Sequence, residues 1–117
     1  MNKIYYLSSC NTCTRIINEL NLPEEFQLQD IKTDAITTSQ IETMRRLTDS
    51  YENLFSKRAR LYKELGLKDK SLSEDDYKNY ILEHYTFLKR PVIVYNNQLF
   101  IGNSKKTVEA AKHAIHG

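Results

Sequence analysis

The sequence predicts one α/β domain: a β-α-β unit opens the chain, helices fill its middle, and a β-hairpin followed by a helix closes it. Three observations carry this reading. The apolar pattern switches from strand-like to helical within the first twenty residues, a more polar helical tract follows, and the period returns to two after Lys89-Arg90. A length of 117 residues, 40% of them apolar and 27% charged, suits a single globular domain and argues against disorder.

Lys3-Ile4-Tyr5-Tyr6-Leu7 is rich in β-formers and ends at the turn-prone Ser8-Ser9, so it reads as a buried strand. From Cys13 onward Ile16, Ile17 and Leu20 recur at helical spacing, and Asn21 with Pro23 closes that helix. A second strand is expected around Phe26 to Ile31. The unit so formed has a parallel, right-handed connection.

In the middle tract, Ser39-Gln40-Ile41-Glu42 has the form of a capping box leading into Ile41, Met44, Arg45 and Leu47. Lys57 to Leu65 reads as a second helix, with Gly66 as its left-handed cap. Ser73-Glu74-Asp75-Asp76 starts a third, whose acidic first turn suits the positive end of the helix dipole. Its apolar stripe is expected to run through Tyr77, Tyr80, Ile81 and His84-Tyr85.

Pro91 to Tyr95, Asn96-Asn97 and Gln98 to Gly102 form a hairpin pattern, because Asn tolerates the positive φ of a tight turn. In the last helix Asn103 or Ser104 is the cap, and Val108, Ala111, Ala114 and Ile115 form a narrow apolar face.

Seventeen Lys and Arg against fifteen Asp and Glu leave a net charge of +2. That is too small for an affinity built on nucleic-acid phosphates, so no direct nucleic-acid binding is expected, although a local basic patch stays open. The first apolar run, Ile4 to Leu7, is too short for a signal peptide or a membrane span, and a cytoplasmic location is expected. Two cysteines are too few for a disulfide scaffold, and they lie three residues apart.

Cys10-Asn11-Thr12-Cys13 falls where a strand hands over to a helix. The first helical turn offers unpaired N–H groups and a positive dipole end, which favour a thiolate over a thiol. Cys10 is therefore the candidate nucleophile and Cys13, one turn on, the candidate resolving thiol. Thr12 and Thr14 can offer hydroxyl hydrogen bonds, and Arg15 adds positive charge. Two other readings stand beside this one: a pair of small buried apolar residues, or a zinc site. Zinc wants four ligands, and neither a second C-x-x-C nor a spaced His pair is present, so no metal is expected. His84 is expected on a helix face, and His113 and His116 at the surface. Pro91 has two readings, a cis bond beside the cysteine pair or a simple strand start.

Cys10-Asn11-Thr12-Cys13, Phe55-Ser56-Lys57-Arg58 leading to Tyr62-Lys63-Glu64-Leu65-Gly66-Leu67, and Leu88-Lys89-Arg90-Pro91-Val92-Ile93-Val94 followed by Phe100-Ile101-Gly102 occur in that order. Together they resemble the glutaredoxin-linked arsenate reductases and the related Spx-type regulators over nearly the whole chain. The resemblance implies a thioredoxin-like, glutaredoxin-type fold: a mixed four-stranded sheet with helices on both faces and a helical insertion between strands 2 and 3. The thioredoxin-like parts would span about 1–35 and 88–117, with the insertion at about 36–87.

By the same resemblance Cys10 falls on the family's nucleophile, Cys13 on the second cysteine of Spx-type members, Arg90 on the arginine before the cis-proline, and Pro91 on that proline. Arg58 aligns with an Spx-type arginine near the active site. Catalytic roles are thus expected for Cys10, Cys13 and Arg90, and substrate contacts for Thr12, Arg58 and Pro91. The departures are also informative. Asn103 stands where arsenate reductases carry a third oxyanion-holding arginine, Thr14 replaces a basic residue, and Thr48-Asp49-Ser50-Tyr51 lacks the glycine of the regulators' polymerase contact. The regulators' basic extension after the last helix is also missing from the sequence.

Two functions follow from the resemblance. One is a thiol-disulfide oxidoreductase acting on a small oxyanion, arsenate among them, or on a disulfide. It would bind no cofactor and would draw electrons from glutathione and glutaredoxin or from thioredoxin. The other is a redox-sensing regulator that binds RNA polymerase through its alpha chain.

Overall fold

The computed structural model describes residues 2–117. It resolves into two compact units, one made of the residues through Asp34 together with Arg90–Gly117, the other of Ala35–Lys89.

The first unit is a four-stranded sheet. Its strands are β1 (Lys3–Tyr6), β2 (Gln27–Asp30), β3 (Val92–Tyr95) and β4 (Gln98–Ile101), in the order β2-β1-β3-β4. β1 runs parallel to β2 and antiparallel to β3, and β3 pairs antiparallel with β4, so the sheet is mixed. Helices α1 (Asn11–Leu20) and α5 (Lys105–His116) complete the unit.

The period-2 alternation of a strand sets the face each residue occupies. Ile4 stands opposite Ile93, and Ile93 opposite Phe100, so all three share one face. Against them pack Ile16 and Leu20, four apart on α1, and Val108 and Ala111, three apart on α5. That spacing aligns each pair on one side of its helix. The other face carries Tyr5, Val92 and Val94, also buried.

The hairpin matches its sequence signal. Asn96 and Asn97 hold φ of 46° and 66°, the two successive positive values that a two-residue turn matched to strand twist requires. Asn96 N–H donates to Asn2 Oδ1 at 3.2 Å, tying the turn to the start of β1. α1 stops at Asn21, which takes the left-handed conformation, φ 49°. The Leu20 carbonyl this leaves open accepts from His116 Nε2 at 2.6 Å, so His116, expected only as a surface residue, links the ends of α1 and α5.

The second unit holds α2 (Thr38–Arg46), α3 (Arg60–Glu64) and α4 (Glu74–Glu83), with short 3-10 turns at Glu52–Leu54, Leu67–Asp69 and Tyr85–Phe87. α2 corrects the expected cap. Thr37, not Ser39, closes the capping box: Gln40 N–H donates to Thr37 Oγ1 and Thr37 N–H to Gln40 Oε1, each at 3.1 Å. Both residues begin an S/T-x-x-E/Q pattern, and the earlier one, extended at ψ 161°, starts the helix.

α3 is shorter than expected because residues 57–58 form a turn and Ala59 is extended. Gly66 does take the left-handed conformation, φ 65°. α4 starts on Ser73 as predicted, but stops before His84, which is extended at φ −149°. His84 Nδ1 instead accepts the Thr86 N–H at 3.2 Å and starts the 3-10 turn. The unit's centre is aromatic, with the buried Phe55 ring stacked on Phe87 at 5.3 Å and tilted on Tyr77 at 4.9 Å.

The cap assignment is testable by paired substitutions in chemical denaturation. Thr37→Ala removes a bonded cap oxygen and is expected to cost about 1 kcal/mol. Ser39→Ala is expected to stay within about 0.5 kcal/mol of the parent. Equal losses would contradict the assignment.

Candidate active site

β1 feeds directly into the cysteine pair. A turn over Leu7–Cys10, closed by Cys10 N–H donating to Leu7 O at 3.0 Å, redirects the chain into α1. Cys10 becomes the N-cap of α1, extended at φ −96° and ψ 111°. Its carbonyl accepts the Thr14 N–H at 3.2 Å and the Thr14 hydroxyl at 3.4 Å, so that hydroxyl serves the helix and not the sulfur.

Both thiols are free, Cys10 half-buried and Cys13 buried. Their environments drive them apart. Burial opposes ionisation of Cys10, but the Cys13 N–H, the Cys13 thiol, the Thr12 N–H and the positive charge of Arg90 together outweigh it, and the thiol lies below an ordinary one. Burial pushes Cys13 up to about 11, helped by the negative charge on Cys10 and by the bond it donates there; the Leu7 backbone and Arg90 oppose the rise. Cys10 is thus the first of the pair to lose its proton, and the thiolate so formed accepts a hydrogen bond from the Cys13 thiol.

Arg90 and Pro91 reach this site through sheet register. Lys3 stands opposite Val94 and Tyr5 opposite Val92. The pairing ends there, so Arg90 and Pro91 enter β3 at the end of β1 from which the cysteine turn departs, and the Arg90 charge acts on both cysteines. The Arg90–Pro91 peptide bond is cis, which decides between the two sequence readings of Pro91. The Pro91 carbonyl accepts the Gly102 N–H at 2.9 Å, joining this end of β3 to the residue after β4.

The first unit therefore holds Cys10, Thr12, Cys13, Arg90 and Pro91, and within it Cys13, Thr12 and Arg90 act on Cys10. Thr12 acts on Cys10 through its backbone N–H. Arg58 belongs to the second unit, exposed in the turn before α3. Arg15 faces Glu19 one turn along α1, at 4.0 Å. Among the described residues, no group of three His, Cys, Asp or Glu is placed to hold a metal ion, and no helix is long and apolar enough to cross a membrane.

Sequence reasoning missed one participant. Asp30, at the end of β2, accepts both the N–H and the hydroxyl of Ser8, which lies within the cysteine turn. The partners are 22 residues apart, and an aspartate at a strand end is too common to announce such a bond.

A mixed sheet whose first strand hands a C-x-x-C pair to a helix N-terminus, beside a cis-proline, defines a thioredoxin-like protein. More narrowly, the chain belongs to the ArsC family, whose model matches residues 5–111. It is similar to the global transcriptional regulator Spx 2 of Lactococcus lactis subsp. lactis, 26% identical over 112 residues that cover 94% of this chain and 85% of the relative. It is also similar to the protein YfgD of Escherichia coli, 28% identical over 110 residues that cover 91% and 92% of the two chains. Among solved structures, an arsenate reductase from Vibrio cholerae superposes with a TM-score of 0.78 at 21% identity, covering 97% of this chain and 96% of the other, and so shares the fold.

Removing the Arg90 charge withdraws one of the influences that favour the thiolate. Arg90→Gln is expected to shift the pH profile of Cys10 alkylation by iodoacetamide to the alkaline side by about half a unit. An unmoved profile would separate Arg90 from the thiolate.

Proposed function

We propose that the protein is a thiol-disulfide oxidoreductase in which Cys10 is the nucleophile and Cys13 the resolving thiol. The opposed ionisation of the two thiols carries this reading: Cys10 is held below an ordinary thiol and Cys13 raised to about 11. A thiolate is the attacking form, and a neutral neighbour that already donates to it stands ready to attack in turn.

On a disulfide substrate, the Cys10 thiolate attacks one sulfur, forms a mixed disulfide and releases the other sulfur as a thiolate that takes up a proton. Cys10 then bears no charge and accepts no bond, so two of the influences that raise Cys13 vanish. Cys13 loses its proton and attacks Cys10 Sγ, the second substrate sulfur leaves as a thiolate and takes up that proton, and the two electrons have passed to the substrate, leaving the protein oxidised as a Cys10–Cys13 disulfide. Thioredoxin, or glutathione with glutaredoxin, restores the dithiol by the same exchange.

Arsenate or another oxyanion is a candidate substrate of the same site. Cys10 would add to arsenic(V) with loss of water; attack on Cys10 Sγ by Cys13 or glutathione would then release arsenic(III). Arg90 suits the anion, as guanidinium pairs with oxyanions through two parallel bonds. Pro91 would shape the groove beside the cysteines. Asn103, where the arsenate reductases carry arginine, favours a disulfide or a different anion.

The second reading is a redox-sensing regulator that binds RNA polymerase through its alpha chain, favoured by the similarity to Spx proteins over nearly the whole chain. A pull-down with the carboxy-terminal domain of the polymerase alpha chain distinguishes them: capture that depends on thiol oxidation supports the regulator, and none supports the enzyme.

For the enzyme, turnover of arsenate and of a generic disulfide is measured with each reducing system. Cys10→Ser is expected to abolish turnover, while Cys13→Ser, or Cys13→Ala should the buried hydroxyl disturb folding, should accumulate a mixed disulfide on Cys10. Full thioredoxin-linked turnover without Cys13 would contradict its resolving role.

A further inference from the structure

We propose that Asp30 is a positioning residue for the Cys10 nucleophile, holding through Ser8 the turn that places Cys10 Sγ over the first N–H groups of α1. This rests on Cys10 being the nucleophile.

The turn over Leu7–Cys10 has Ser8 as its first inner residue, and its own backbone bond, Cys10 N–H to Leu7 O, leaves its tilt against the sheet unset. Asp30 supplies that constraint twice. Oδ1 accepts the Ser8 N–H at 3.3 Å, and Oδ2 accepts the Ser8 hydroxyl. Two bonds from one planar carboxylate to one residue fix direction as well as distance.

Asp30 is itself rigidly held. It pairs with Tyr6 in the parallel register, and the next residue, Ile31, donates its N–H to Tyr6 O at 2.9 Å. Oδ1 also accepts the Lys32 N–H at 3.2 Å, and the Asp30 carbonyl accepts the Asp34 N–H at 2.8 Å. The carboxylate is thus anchored to the strand beside β1 and grips the chain two residues before the nucleophile. The Ser8 bonds in turn hold the Asp30 carboxyl below the usual carboxylate range, so the grip persists at neutral pH.

Geometry and charge predict opposite signs. If Asp30 acts by position, loosening the turn moves Sγ off the Thr12 and Cys13 N–H groups and Cys10 becomes harder to ionise. If its negative charge alone mattered, removing it would make Cys10 easier to ionise.

The test is the pH midpoint of Cys10 thiolate formation, read by thiolate ultraviolet absorbance and by iodoacetamide alkylation, in the intact chain with Cys13→Ala as the common background. Asp30→Ala and Ser8→Ala are each expected to raise the midpoint by about half a unit, roughly a threefold loss of thiolate below it. Asp30→Asn, which keeps an acceptor on the same frame, is expected to recover at least half of that rise. Circular dichroism checks folding, and Ser8→Ala, an exposed change, carries the test should Asp30→Ala unfold. Midpoints equal to the parent's, or moved to the acid side, would overturn the positioning role. A Cys10 midpoint no lower than a free thiol's in the chain that keeps Cys13 would instead overturn the nucleophile assignment on which it rests.

Discussion

A thiolate can use a helix N-terminus only if nothing else has taken the first N–H groups, and this chain keeps them open at α1 while closing them at α2, α4 and α5. α2, α4 and α5 are capped by Thr37, Ser73 and Ser104, whose side-chain oxygens accept the N–H three residues on. α1 has a cysteine in that place and no oxygen cap, and its first turn contains no acidic residue. The thiolate of Cys10 therefore meets donors that no competing anion occupies, whereas α4 fills its first turn with Glu74, Asp75 and Asp76.

That arrangement imposes the rest of the site. Cys13 is placed by the same helix, so its thiol both buries itself and donates to Cys10, and one geometric fact raises one group while lowering the other. The β1–β3 register delivers Arg90 and Pro91 to the end of β1 although about eighty residues separate them from the cysteines in sequence. The Asp30 clasp enters from the strand on the other side. The turn before Cys10 thus lies between two neighbouring strands that each contribute a charged side chain, one cationic and one anionic.

Much of this was legible in the sequence where a local pattern had one solution. The switch from Ile4–Leu7 to Ile16 and Leu20, the Asn96-Asn97 hairpin, Gly66 and the Ser73 cap all follow from period or from backbone preference, which act over a few residues. The reading failed where two local solutions competed or where the partner was distant. Thr37 and Ser39 both begin a capping pattern, and only the chain's approach decides between them. His84 and Tyr85 continue the stripe of α4 on paper, but the His84 ring bonds Thr86 and ends the helix. The bonds from Ser8 to Asp30 and from His116 to Leu20 span 22 and 96 residues, and no pattern in either segment announces the other. The cysteine pair and the choice of Cys10 as nucleophile were legible from the helix start, whereas the rise of Cys13 depends on burial and on the direction of the bond between them.

The chemistry of the pair turns on that direction. Protein labelled with 13C at the cysteine β carbons, kept reduced and titrated by NMR, reports the two thiols separately. The Cys10 signal is expected to titrate first, below the range of a free thiol, and the Cys13 signal to hold until the solution approaches a pH of about 11. Simultaneous titration of both signals in the ordinary thiol range, or Cys13 moving first, would contradict it.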